Sequence, residues 1–291
     1  MLDNAALATA PDSAYGLAQE LLSFFVNVSQ TLTKNIPISI ALAATFTILT
    51  WFCACNPGRA WWHKRDLVTD LCYWFFIPVM TRYLRIGLLV VGAAVLFGIT
   101  TADGLVAFYD NGHGPLATLS LPLQGALFLI GEDFILYWTH RYFHGVRMWK
   151  YHAVHHSSEE LEWISAARFH PVNLFLGSVL ADVAMLLAGI SPNVLVLIGP
   201  FTIAHSAFVH ANLDWTLGPF KYVLAGPVFH RWHHTAPSRG GEKNFAATFP
   251  ILDVLFGTFY MPAGELPDRY GIEEREFPTS FPAQLVHPFT R

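Results

Sequence analysis

Charge is scarce in this chain: Asp, Glu, Lys and Arg together supply 13% of 291 residues, against 53% hydrophobic residues. That balance is too apolar for an ordinary water-soluble enzyme and makes the bilayer the expected solvent. With a net charge of −4 there is no overall basic surplus either, so nucleic acid is excluded as a partner. Cysteine is limited to Cys53, Cys55 and Cys72, with neither C-x-x-C spacing nor an even count, which excludes a zinc ribbon and a disulfide framework. No Gly-rich dinucleotide fingerprint and no cysteine set for an iron–sulfur cluster occurs, so any electrons must come from another protein. Lys and Arg are missing from residues 1–33, which removes the basic head of a cleavable signal peptide, and no processing is expected.

Long apolar runs are what the chain has instead. A helix needs about 20 of them to cross a bilayer with its backbone satisfied internally. Residues 36–55 are uncharged, residues 71–80 and 86–100 flank Arg82 and Arg85, and residues 121–138 form a third run. Residues 171–190 and 194–205 read as a hairpin turned by Gly189-Ile190-Ser191-Pro192. The stretch 71–100 admits one kinked helix, a re-entrant pair, or an in-plane helix followed by a span. The expected fold is therefore all-α, a multi-pass transmembrane bundle of about four to six spans with a cytosolic helical cap. Residues 1–120 would anchor it and residues 121–291 would form the catalytic region, the two integrated into one domain. Lys and Arg avoid residues 101–140 and 169–220 and gather at 59–65, 141–168 and beyond 221. The positive-inside rule then places these basic segments in the cytosol.

Histidine carries the chemistry. Eight of the 14 histidines fall in three groups: His140 and His144 in H-R-Y-F-H, His152, His155 and His156 in H-A-V-H-H, and His230, His233 and His234 in H-R-W-H-H. Residues three and four apart share a helix face, so each group reads as a preformed metal clamp. One H-x-x-H-H should arise by accident roughly 0.03 times in a chain of this length and composition. Eight neutral imidazoles exceed the four ligands that close a zinc site, which implies two metals. Imidazole suits iron, zinc and copper about equally, so ligand type alone does not choose the ion. A zinc hydrolase would need the general base of H-E-x-x-H, which is missing; the nearest acids are Glu132 and Asp133, upstream of His140.

Further elements accompany the boxes: Asp133-Phe134-x-x-Tyr137-Trp138-x-His140-Arg141, Arg168-Phe169-His170-Pro171, His210-Ala211-Asn212, and Asn244-Phe245 with Asp253-x-x-Phe256-Gly257-Thr258. Over residues 121–260 this ordered set resembles the fatty acid hydroxylase and sterol desaturase superfamily of membrane-bound di-iron proteins. The resemblance implies that the eight box histidines hold two irons, with His210 a ninth ligand. His170 matches a family position but also reads as a helix cap, and His205 reads either as a ligand or as a bundle-facing polar residue. Asp133 would orient a ligand imidazole or pair with Arg141 or Arg168. Asp253 and Asn244 resemble structural elements of the cap.

What the resemblance implies is a lipid monooxygenase: two Fe(II) ions, O2 as co-substrate, and two electrons from a ferredoxin or small cytochrome with its reductase. Hydroxylation, desaturation and ether cleavage all fit, on a fatty acyl, sterol, carotenoid or alkylglycerol substrate. The alternative is a histidine-rich membrane metal transporter or metal-binding protein, which would need ligands spread through the bilayer depth rather than bunched on one face.

Overall fold

An apolar run that meets no water closes its backbone hydrogen bonds on itself, and long helices are what these runs form. The computed structural model describes residues 10–110, 112–274 and 276–290, and among them every regular element is a helix. The main ones are α1 (Ala10–Cys53), α2 (Leu67–Phe97), α3 (Leu121–Phe143), α4 (Trp149–His156), α5 (Pro171–Leu187), α6 (Asn193–His210) and α7 (Pro227–His233). The chain divides into two compact units, Met1–Ala41 and Leu42–Arg291. The first holds the beginning of α1, where Leu22, Phe25 and Ile40 are exposed, and all the clustered histidines lie in the second.

By length and composition three helices can cross a membrane: Leu22–Cys53 of α1, α2 and α6. That is fewer than the four to six expected, for two local reasons. Helix α3 is long enough at 23 residues but carries Glu132 and Asp133. Helix α5 is shorter than the other three and is interrupted at Gly177, whose backbone (φ −98°, ψ −105°) leaves the helical region. The ambiguous stretch 71–100 resolves as the single helix α2 with Pro78 inside it. It stops at Gly98, whose left-handed φ of +68° lets its N–H close on the Ala94 carbonyl at 3.1 Å.

The expected hairpin is present. Its turn is fixed by Gln124 of α3, whose Oε1 accepts from the Ser191 N–H at 2.8 Å, above a cluster of Phe128, Ile190, Val194 and Ile198. Leu174, Val179 and Val183 of α5 pack against Ile77, Leu84 and Leu88 of α2. Arg85 of α2 and Asp182 of α5 form an ion pair, which answers the cost of leaving either charge alone at that depth. The ends of α3 and α6 then bring the short helices α4 and α7 together.

Candidate metal centre

Nine imidazoles converge as two adjoining sets: His140, His144, His152, His156 and His233 in one, and His155, His210, His230 and His234 in the other. Within each set the ligating nitrogens lie within 4.8 Å of one another. The boxes do not act as separate clamps. In both H-x-x-H-H segments the outer pair serves one set and the middle histidine crosses to the other. Helix geometry requires this, because at 3.6 residues per turn positions i and i+4 diverge by about 40° whereas i+3 and i+4 diverge by about 100°. Helices α4 and α7 therefore lie between the sets and feed both, and the His156 and His234 rings stack across the divide at 4.5 Å.

Hydrogen bonds decide which nitrogen of each ring is free. Nδ1 donates to the carbonyl of Phe245 in His140 (2.8 Å), of Arg168 in His155 (3.2 Å), of Ser206 in His210 (2.7 Å) and of Lys243 in His233 (2.7 Å), and to Asn173 Oδ1 in His152 (2.7 Å). These oxygens only accept, so each ring carries its proton on Nδ1 and a lone pair on Nε2. Yet the Nε2 atoms face each other, at 3.0 Å between His140 and His152 and 3.4 Å between His155 and His210. Two proton-free nitrogens cannot hydrogen-bond to one another. The same spacing suits neighbouring ligands of one cation, since bonds of about 2.1 Å put adjacent nitrogens about 3.0 Å apart in an octahedron and about 3.4 Å in a tetrahedron. His144 Nε2 and His233 Nε2 are buried and have no partner at all. Burial, with repulsion from neighbouring rings, holds His144, His152, His155, His156, His230, His233 and His234 well below the ordinary imidazole value. The rings are thus neutral, as ligands must be, and the donor set fits metal ions.

Comparison with known proteins points the same way. Residues 125–258 match the fatty acid hydroxylase family. The chain is 29% identical to the ornithine lipid hydroxylase OlsE of Rhizobium tropici over 87% of its length and 76% of that protein's. It is 33% identical to the alkylglycerol monooxygenase of Danio rerio over 53% of its length, and 28% identical to the Delta(7)-sterol 5(6)-desaturase ERG3A of Gibberella zeae over 56%. The similarity to the fatty acid hydroxylase family thus covers the segment that carries all three histidine boxes. The chain's matches span only 34% of that monooxygenase and 42% of that desaturase. No solved structure matches.

The parts of the chain outside the boxes hold the boxes in place. Asp133 reaches neither an imidazole nor an arginine. Its carboxylate accepts the N–H groups of Ala247 and Thr248 at 2.9 Å and of Phe249 at 2.7 Å. Asp253 takes the next two amides of the same segment, Phe245 at 2.7 Å and Ala246 at 2.9 Å. Two carboxylates thus bind five consecutive amides, and that clamped segment presents the Phe245 and Lys243 carbonyls to His140 and His233. Asn244, at φ +59°, ties it to Phe229 and Tyr260 through its side-chain amide.

His170 and His205 lie outside both sets. His170 caps α5, accepting from the Val172 N–H on Nδ1 (3.1 Å) and donating from Nε2 to the Leu285 carbonyl (3.2 Å). His205 donates to the Ala225 carbonyl at 3.0 Å and stacks on Phe201.

Sequence reasoning missed three supports. Asp70, fully buried, binds Lys64, Ser165 and Arg168, the last through Nε at 2.6 Å, and so fixes the residue whose carbonyl orients His155. Burial alone would raise the neighbouring Asp66, but the charges of Arg168 and Lys64 hold it below the ordinary carboxylate value. Asn173 orients His152. Arg231, inside the third box, spans the Leu161 and His210 carbonyls and Asn56 at 2.9, 3.2 and 2.6 Å. The available signals were a lone Asp opening an apolar run and an Arg within a histidine box, neither of which names a partner.

Proposed function

We propose that this protein is a membrane-bound oxidoreductase that uses two iron ions and O2 to hydroxylate or desaturate a C–H bond of a lipid. One observation carries the reading: nine imidazoles gather their ligating nitrogens in two adjoining sets, and in five of them a hydrogen bond from Nδ1 leaves Nε2 proton-free, a donor arrangement for a pair of cations. The relatives named above, a lipid hydroxylase, a monooxygenase and a desaturase, supply the reaction class. Bound iron would supply oxidising power drawn from O2, which an unactivated C–H bond requires and zinc cannot provide.

The chain's own residues bind and orient. Carbonyls of Phe245, Arg168, Ser206 and Lys243, with Asn173, hold the imidazole planes and keep the proton on Nδ1, which also raises the basicity of Nε2. Burial of His152, His155, His156 and His233 excludes water from the reacting zone. Hydroxylation consumes one O2, two electrons and two protons, placing one oxygen atom in the substrate and the other in water. Desaturation consumes the same and removes two hydrogens, leaving two waters. The electrons come from a separate ferredoxin or small cytochrome with its reductase, and the positive-inside bias of the basic loops supports a cytosolic face for the site. An acyl lipid with a small polar head group is the first substrate to test, because the match to the ornithine lipid hydroxylase runs over 87% of the chain. The gathering of ligands at one place, rather than along a path, disfavours metal transport.

The test is purified protein loaded anaerobically with Fe(II), supplied with reductant, O2 and lipid, and read by mass spectrometry. A product that gains one oxygen or loses two hydrogens is expected, absent in the zinc-loaded protein and in His155→Ala. A product of unchanged yield in that variant would remove the reading.

A further inference from the structure

Side chains four residues apart line one face of a helix. On α3, Ile130, Phe134, Trp138 and Tyr142 form such a line, all exposed and all apolar or amphipathic. The line does not stop where the first histidine box begins. Trp138 and Tyr142 alternate along the chain with His140 and His144, and the turn that follows carries Val146, which is 96% exposed.

A second element continues the same surface. The short helix Ile251–Leu255 exposes Ile251, Val254 and Leu255, the last at 68%. The adjoining Phe256 packs on Trp138 at 4.9 Å, which joins the two elements into one apolar face. The opposite side of the short helix carries the fully buried Asp253, so the segment is held by the clamp rather than dangling from it. Three cations border this face. Arg141, Arg147 and Lys150 are exposed, and none forms an ion pair with an acidic side chain among the described residues. Arg141 instead lies over the Trp138 ring at 5.7 Å. By contrast, the exposed Arg59 and Arg65 are paired with Glu160 and Glu159.

We propose that the outer line of α3, Val146 and the helix Ile251–Leu255 are seated in the bilayer interface, with Arg141, Arg147 and Lys150 at its edge binding the phosphates of anionic lipids. Contiguous exposed apolar surface rimmed by polar groups marks an interaction site. Lipid is the occupant because the line runs along a helix packed against the membrane-crossing α6, ends in Trp and Tyr as interfacial segments do, and meets Arg and Lys that form no side-chain ion pair among the described residues. The membrane surface then stands at the level of the first histidine box, one helix width from His140 and His144. Bilayer contact also bears on the segment whose Phe245 carbonyl orients His140.

The test needs neither metal nor turnover. Exposed Cys72 and half-buried Cys53 are changed to Ser and buried Cys55 is kept. Spin labels are placed at Leu255→Cys and Val146→Cys, with Glu265→Cys as an aqueous control, in nanodiscs of phosphatidylcholine and phosphatidylglycerol. Collisions with O2 relative to an aqueous nickel chelate are expected to be higher at 255 and 146 than at 265; equal ratios would overturn the seating. Native mass spectrometry with added phosphatidylglycerol reads the cations. Wild type should retain that lipid over phosphatidylcholine, and Arg147→Glu with Lys150→Glu should lose the preference. Absence of the preference, or binding of an acidic plant-type ferredoxin to wild type but not to the double variant in its place, would overturn the headgroup assignment.

Discussion

The two histidine sets draw on the same boxes but hang from different parts of the chain. The five-ring set rests on the C-terminal segment 243–249, clamped by Asp133 and Asp253, and on Asn173. The four-ring set rests on the Arg168 carbonyl, and through Arg168 on Asp70 and Lys64 near the start of α2, with Arg231 steadying the His210 carbonyl. One scaffold neutralises backbone amides with carboxylates; the other buries an ion-paired network. The two sets therefore have separate supports even though α4 and α7 serve both.

Removing a ligand should break the symmetry most sharply. His152→Ala is expected to empty the five-ring set and His234→Ala the four-ring set, each dropping iron from two to about one per chain by mass spectrometry of the metal, with product falling more than about a hundredfold. If either variant lost both ions together, the sets would be one site rather than two.

Asp70→Asn comes next and acts on stability. It leaves Arg168 and Lys64 buried with only Asp66 to answer their charge, a loss of about 3–5 kcal/mol, visible as a lower Tm in detergent before any metal is added. The metal that remains should sit in the five-ring set.

Asp133→Asn and Asp253→Asn should do the converse. Each weakens the clamp on 245–249 and is expected to lower metal affinity of the five-ring set by about 10–100-fold while sparing the other. Equal loss from both sets would mean that the clamp supports the cap as a whole. The smallest effect is expected of Asn173→Ala, which frees one Nδ1 proton of His152 and should cost about tenfold in affinity, with no change in Tm beyond about 1 kcal/mol of stability.

Much of this was readable before any coordinates, because it is periodic or compositional. Three boxes at i, i+3 and i+4 spacing, an apolar chain and the short hairpin at 189–192 are local patterns whose physics acts over a few residues. The Asp133 reading shows where local patterns end. An acidic group at the end of an apolar run must be paired, and the chain offered an imidazole or an arginine. The actual partners are backbone amides more than 110 residues away, which have no signature in sequence. His170 met the same limit, since the Leu285 carbonyl that its Nε2 reaches lies 115 residues on.

The sequence alone determined that this is an all-helical membrane protein carrying nine imidazoles in three boxes and an H-A-N segment, because hydropathy and helical spacing depend only on neighbours in the chain. Tertiary structure decided which imidazoles share a set, since the middle histidine of each H-x-x-H-H points about 60° away from the first and finds its partners on another helix. It also decided which oxygens hold each ring, because a hydrogen bond depends on distance in space and not on distance along the chain.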